Sequence, residues 1–482
     1  MIKSVAKTIG GTAFIMALWA IFVKYIAVLI GPAGTAFFSF SREYLKLGSF
    51  AFSLDSNVAI LKSLNYSDDE SKKQEFIEFL RKLFTINFCL MGVLFVFIYS
   101  LFSQDIFILT GINSELQLLL FLAMFFQSLA YIFNSFLNSI RRLGSMVIAQ
   151  SLSVLSGLVL LFFMLDESNY QSRVILSILT VSILWMLSSL LFLFKNDFFK
   201  MKFRPRTKMR FKFIDNEKSH LKHFLSIVVG TTLVGVGTML LNLAIKALIL
   251  NQYGIHYVGI FDSAYTIAVS YILVIMSAVG TFLIPELFRD IDSLKRTLLL
   301  KQSFGLLIPI FSIVALIVSL FSHFFIEMLY SSEYVKEGSR LLRYLLFGDL
   351  FKILSWVLIA QIMAHKSIIH FVIVSYIWNF LFFGAMFFFC NAFDSIGEIY
   401  LWVSISYFIV ISIYFSFLSR INALDLITSL VIPIALYVLA CYFLLFTTTT
   451  FSYGFIGLCI IYSFLSLYKN ITDRSLELQV HT

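Results

Sequence analysis

The chain is a succession of long apolar runs separated by short polar stretches, and none of the runs shows the strict apolar/polar alternation of a half-buried strand. The runs fall at about residues 11–31, 37–61, 83–102, 116–138, 146–165, 174–194, 224–248, 258–284, 304–328, 341–365, 369–390, 397–417, 424–446 and 450–468. At 1.5 Å per helical residue each is long enough to cross, or nearly cross, about 30 Å of hydrocarbon. A chain inside a bilayer must satisfy its own backbone hydrogen bonds, so the runs predict helices. The expected fold class is an all-α polytopic membrane protein of about 14 transmembrane helices. The run at 37–61 is the exception in polarity: it contains Arg42, Glu43, Lys46 and Asp55. Each charge costs about 2.5–3.5 kcal/mol at the centre of an inserted helix, so this helix cannot face lipid unaided.

Composition supports the same solvent. Of 482 residues 60% are hydrophobic and 13% charged, and the mean hydropathy is +0.93; a soluble domain has about 25% charged residues. Because the apolar runs extend along the whole sequence, a soluble domain with a single anchor is excluded. The first run has no small-residue cleavage site and exceeds a signal-peptide core, so it is expected to remain as a mature helix. Cys89, Cys390, Cys441 and Cys459 all fall within apolar segments, where cysteine behaves as a small buried hydrophobe rather than a disulfide or zinc ligand. The seven histidines are scattered, and there is neither a Walker-type glycine loop nor a nucleophile–base pair in a known context. No enzyme, catalytic residue, metal or cofactor is expected.

The cations then set the topology. Lys and Arg concentrate in cytoplasmic loops; with the N-terminus inside, 27 of the 36 cations lie on the cytoplasmic side. Arg173, Lys336, Arg340 and Arg343 lie outside, and Lys24, Arg42, Lys46, Lys246 and Lys352 within spans. Both termini are therefore expected in the cytoplasm. The net charge of +9 is dispersed among these loops, so nucleic acid is not an expected partner. The longest polar stretch, 195–222, carries ten cations and divides the first twelve spans six and six. The expected organisation is a six-helix lobe at 1–194, a basic cytoplasmic linker at 195–222, a second six-helix lobe at 223–420, and two further helices with a short cytoplasmic tail at 421–482. The two lobes echo each other faintly: Lys24 to Gly31 and Phe37 match Lys246 to Gly254 and Phe261, and Arg141-Arg142 match His365-Lys366, all at a spacing of about 222–224 residues. Six crossings return the chain to its starting side, so such repeats are parallel about an axis along the membrane normal.

Ionisable residues inside a membrane are costly, and they are the first candidates for function. Arg42 and Lys46 share a helix face, with Glu43 beside Lys46 at i,i+3. Lys24, Lys246 and Lys352 add three more cations. Together Lys24, Arg42, Lys46, Lys246 and Lys352 constitute an expected anion site within the membrane. Structural readings stand beside this one: Lys24 and Lys246 are near enough to span ends to snorkel, and Glu43–Lys46 and Asp349–Lys352 have the spacing of ion pairs. Asp262, near Tyr265, is either a coupling site for a proton or sodium ion or a partner of Lys246.

Six segments carry a family resemblance. Val23 to Gly34, Phe37 to Arg42 and Asn57 to Lys62 resemble the start of the Wzx-type flippases, the O-antigen and enterobacterial common antigen translocases of the polysaccharide transporter family. Val258 to Phe261, Phe282 to Leu287 and Phe347 to Lys352 resemble that family's eighth- and tenth-span patterns, and the likeness covers about residues 10–420. The resemblance implies the MOP-superfamily fold and translocation of undecaprenyl-diphosphate-linked oligosaccharides by alternating access in a bacterial inner membrane. It also implies a cationic cavity holding the diphosphate, at positions matched here by Lys24, Arg42, Lys246 and Lys352. A polysaccharide polymerase, a chain-length regulator and membrane lipids are the implied partners. The two apolar segments after Arg420 depart from the pattern and leave room for the fourteen-helix lipid II flippases.

Two other functions fit a many-helix chain. A cation-coupled multidrug exporter of the same superfamily needs an acidic, aromatic cavity, whereas the spans here hold five cations against Glu43, Asp55, Asp262 and Asp349. A polysaccharide polymerase or ligase needs a sizeable outer loop, whereas the longest expected here, near Ser331 to Arg340, has about twelve residues.

Overall fold

The computed structural model describes residues 2–53, 85–89, 92–93, 114–139, 142–164, 169–195, 215–272, 293–365, 368–419, 431–446 and 455–466. Their order is α1 (Ile2–Ile30), α2 (Pro32–Ser53), α3 (Ser114–Ser139), α4 (Leu143–Met164), α5 (Tyr170–Lys195), α6 (Asp215–Tyr253) and α7 (Ile255–Tyr265), which widens into a π-helical segment (Thr266–Ile272). Then follow α8 (Ser293–Leu320), α9 (Ser322–Leu329), a 3-10 turn (Ser332–Tyr334), α10 (Val335–His365), α11 (Ile368–Phe389), α12 (Ser395–Ser419) and α13 (Val431–Phe446), and a short apolar helix α14 (Phe455–Ser466). Nine helices among the described residues are long and apolar enough to cross a membrane. The polar α2 is not among them, in keeping with its three charges.

Helix ends depart from the apolar runs where polar residues continue a helix into water. α6 begins at Asp215, nine residues before the start of its apolar run, and α10 begins at Val335, so most of the expected outer loop at 331–340 is helical. The run expected as one helix at 304–328 is divided at Phe321, whose φ of −101° and ψ of 28° leave the helical region. Most of the run at 83–102, Asp55, Pro285, the basic stretch Arg204 to Lys212 and the motifs Asn57 to Lys62 and Phe282 to Leu287 lie outside the described residues.

The faint sequence repeat has a backbone counterpart. Gly31 (φ 74°) and Gly254 (φ 89°) are the glycines with positive φ among the described residues. Each is the single residue between two helices, α1 and α2 in one case, α6 and α7 in the other. Positive φ is a conformation that glycine enters at little cost. The glycines are 223 residues apart (254 − 31), and the starts of α4 and α11 (368 − 143) and of α5 and α12 (395 − 170) are both 225 apart.

The chain divides into two compact units, Met1–Leu250 and Asn251–Thr482. In the first, α5 packs against α3 and α4, α2 against α3, and α1 against α4 and α2. Trp19, Phe22 and Phe38 form an aromatic contact between α1 and α2, with ring centroids 5.3–6.0 Å apart. A Cβ on Gly157 would lie 2.3 Å from Val181 Cγ2, and one on Gly48 would lie 2.5 Å from the Met124 sulfur. Small residues permit such close helix approach inside a membrane.

In the second unit α10 is the central helix, flanked by α12, α8, α7, α9, α11 and α13. Of its apolar window 83% is buried, against 22% for α11. Large apolar side chains on the outer helices are exposed, including Phe163, Phe380, Phe388 and Phe417. Such a surface is at home against lipid tails rather than water. The abundant phenylalanine is thus divided between lipid-facing positions and buried ones such as Phe22, Phe304 and Phe311.

Candidate functional site

The polarity of α2 is resolved by what it packs against. Its apolar positions Phe37, Phe38, Phe40, Leu45 and Phe52 are buried, and its carboxylate Glu43 meets α6. Glu43 is 4% exposed and Lys246 of α6 2%. Glu43 Oε1 lies 3.4 Å from Lys46 Nζ and 3.8 Å from Lys246 Nζ. Lys246 also donates a hydrogen bond to the Ser39 hydroxyl, one turn before Glu43. Arg42 is half-buried, with its guanidinium carbon 5.9 Å from the centre of the Phe38 ring. Glu43 is twelve residues beyond the Gly31 turn, about 18 Å along the helix axis.

Two lysines therefore share one carboxylate, Lys46 and Lys246 against Glu43, and Arg42 is the neighbouring residue on α2. Both lysines approach the same oxygen, and Lys46 is one-third exposed. Isolated buried charge is strongly disfavoured and is ordinarily paired or solvated. A buried cluster that brings two ammonium groups to one carboxylate is a candidate anion site. Lys24 is half-buried on α1 of the same unit.

The second unit holds a different arrangement. Asp349 and Lys352 on α10 do not form a direct ion pair; the Tyr400 hydroxyl of α12 stands between them. It donates to Asp349 Oδ1 and accepts from Lys352 Nζ at 3.0 Å. The Lys352 ammonium also lies 4.2 Å from the Trp378 ring centre and 5.2 Å from that of Tyr400. The α10–α12 contact is close because Gly348 lacks a side chain: a Cβ there would lie 2.8 Å from both Ser404 Oγ and the Tyr400 ring. Asp262, 6% exposed on α7, accepts a hydrogen bond from Thr266 Oγ1 at 3.5 Å, where the helix widens to π geometry. Such widened turns often occur at functional sites.

The structure thus brings Glu43, Lys46 and Lys246 together, with Arg42 next to Glu43 on α2 and Lys24 on α1 of the same unit, and separately Asp349 and Lys352. Ser39, Trp378 and Tyr400 were not singled out from the sequence. Each becomes visible only through pairing of helices distant in the chain, and none carries a charge that would mark it within an apolar run.

The fold that carries these residues has solved counterparts. No protein-family model and no curated protein matches the chain. Solved structures do. The lipid II flippase MurJ in an inward closed conformation superposes with a TM-score of 0.61 at 16% identity, covering 97% of this chain and 98% of that one. A multidrug resistance MATE family transporter of the MOP superfamily, in its inward-facing conformation, has a TM-score of 0.61 at 15% identity, covering 86% and 94%. A MOP superfamily transporter from Pyrococcus furiosus, described as having a binding pocket of reverse polarity that suggests a different function, has a TM-score of 0.60 at 14% identity, covering 88% and 96%. The chain has the all-helical, multi-pass fold of these membrane transporters.

Proposed function

We propose that the protein is a flippase that carries an undecaprenyl-diphosphate-linked oligosaccharide repeat unit from the cytoplasmic to the periplasmic face of a bacterial inner membrane. It works by alternating access of two six-helix lobes, 1–194 and 223–420, joined by the basic cytoplasmic linker 195–222. Residues 421–482 add two further spans, and both termini are cytoplasmic. The diphosphate is held by Arg42, Lys46 and Lys246, with Lys24 as a further cation of the same unit. A polysaccharide polymerase and a chain-length regulator would take up the product.

The observation that carries this reading is the sharing of one Glu43 oxygen by Lys46 and Lys246, two ammonium groups on one carboxylate inside the helix bundle of the first unit. A diphosphate matches that charge. With a charge of about −2, it also gains about 4–5 kcal/mol per 100 mV in moving outward, down an inside-negative potential. The similarity to a lipid II flippase over 97% of the chain supports a lipid-linked substrate. A multidrug exporter of the same fold would require acidic excess where this cluster has basic excess. A polymerase or ligase would require a large outer loop, and between α9 and α10 only Tyr330 to Tyr334 intervene.

Deletion of the protein in its host tests the reading. While glycan synthesis continues, undecaprenyl-linked repeat units should accumulate on the cytoplasmic leaflet. Normal surface glycan in a strain without a redundant flippase would overturn it.

A further inference from the structure

The second unit holds ionisable groups that need not touch a diphosphate directly. Asp349 is fully buried. Its Oδ1 accepts the Tyr400 hydroxyl, but among the described residues its equally buried Oδ2 has no hydrogen-bond partner. An unpartnered buried carboxylate oxygen is unfavourable, and a proton is the smallest ligand that relieves it. Lys352 is held by the Tyr400 hydroxyl and two ring faces. Lys352 is the charged group acting on Asp349, and Tyr400 is bonded to it. The other titratable groups facing this pair are Tyr265 of α7 and Tyr437 of α13, while α11 presents the Trp378 ring to Lys352.

We infer that Asp349, Tyr400 and Lys352 form a one-proton switch governing an anion site of the phosphate class. With Asp349 ionised, its charge cancels that of Lys352 through the intervening hydroxyl, and the site is neutral. When a hydronium ion gives its proton to Asp349 Oδ2, the hydronium O–H bond breaks and leaves water, Tyr400 still donates to Oδ1, and the site gains one unit of positive charge. Lys352, which is half-buried whereas Asp349 is sealed, then presents uncompensated charge to an anion. Proton binding and anion binding promote each other, by the reciprocity that governs any two linked sites. Tyr400 is a positioning residue, since it sets the separation of the two charges. The anion half of this inference rests on the diphosphate reading above; the proton half does not.

The full-length protein in lipid nanodiscs tests both halves. In pH-difference infrared spectra the wild type should show a protonated-carboxyl band that titrates. Asp349→Asn should abolish that band, and Tyr400→Phe should shift it by removing the hydroxyl donor. Calorimetry with inorganic pyrophosphate, in buffers of different ionisation enthalpy, should show uptake of about one proton on binding to wild type and none for Asp349→Asn. Retention of the band in Asp349→Asn, or its failure to titrate in wild type, overturns the switch. If Asp349→Asn does not fold, an unshifted band in Tyr400→Phe overturns it instead. A titrating band without pyrophosphate binding overturns the anion half and counts against the diphosphate reading. Pyrophosphate binding without proton uptake overturns the linkage alone.

Discussion

Lys246 of α6 and Lys46 of α2 approach the same oxygen of Glu43, at 3.8 and 3.4 Å, although 200 residues separate the two lysines. The more buried of them, Lys246, also bonds to Ser39, so α6 is fixed to α2 by polar contacts through the middle of an apolar bundle. Removing one member of a buried pair leaves the other uncompensated, at a cost of about 3–5 kcal/mol. Glu43→Gln should therefore lower the thermal unfolding midpoint of the purified protein markedly. The double substitution Glu43→Gln with Lys246→Met should cost less than the sum of the single ones. Strict additivity in that cycle would show that the contact contributes no coupling.

The class of fold was legible in the chain because the bilayer imposes a single requirement, long apolar helices, on every crossing. The charges that break this pattern were legible for the same reason: Arg42, Glu43, Lys46, Lys246 and Asp349 stand out in apolar surroundings. Of their partners, the Glu43–Lys46 pair was legible from its i,i+3 spacing; the others were not. The sequence spacing of Asp349 and Lys352 is that of a direct pair, but a tyrosine from α12 separates them, and which residue of α12 meets α10 depends on a close approach at Gly348. The division of the 304–328 run at Phe321 was equally hidden, since apolarity is continuous across it.

Gly254 tests the backbone origin of the α6–α7 turn. With φ 89° and ψ 172°, it occupies a region essentially restricted to glycine, where other residues incur about 1–3 kcal/mol. A Cβ there would meet nothing within 4 Å, so any loss in Gly254→Ala comes from conformation and not from a clash. Differential scanning fluorimetry should show a lower midpoint for Gly254→Ala. An unchanged midpoint would mean that the turn relaxes into an ordinary conformation.

Gly348 tests the opposite cause. Its helical backbone accepts any side chain, but a Cβ would press on Tyr400 and Ser404 at 2.8 Å. Overpacking of this kind costs about 1–3 kcal/mol. Gly348→Ala should destabilise the protein, whereas Gly384→Ala, on α11 with nothing within 4 Å of the added carbon, should not. Equal midpoints for the two variants would show that α10 and α12 separate freely.

Arg42 carries the most direct prediction about substrate. It adjoins Glu43, the carboxylate already shared by two lysines, and its guanidinium carbon lies 5.9 Å from the Phe38 ring centre, a contact contributing about 0.5–1 kcal/mol at an exposed site. That contact gives Arg42 a direction along α2 toward Phe38. A guanidinium offers two parallel donors to a phosphate, whereas an ammonium offers a point charge. Arg42→Lys should therefore retain part of the transport and Arg42→Ala should lose nearly all of it, with both proteins present in the membrane at wild-type levels. Truncating one partner of a desolvated charge contact costs about 2–5 kcal/mol, so substrate affinity in Arg42→Ala should fall by more than tenfold. The comparison is made with an undecaprenyl-diphosphate glycan in reconstituted liposomes, measuring binding and translocation separately. Normal transport by Arg42→Ala would remove Arg42 from the diphosphate site. Loss of the protein from the membrane would make it a structural member of the cluster, holding α2 in place beside Glu43.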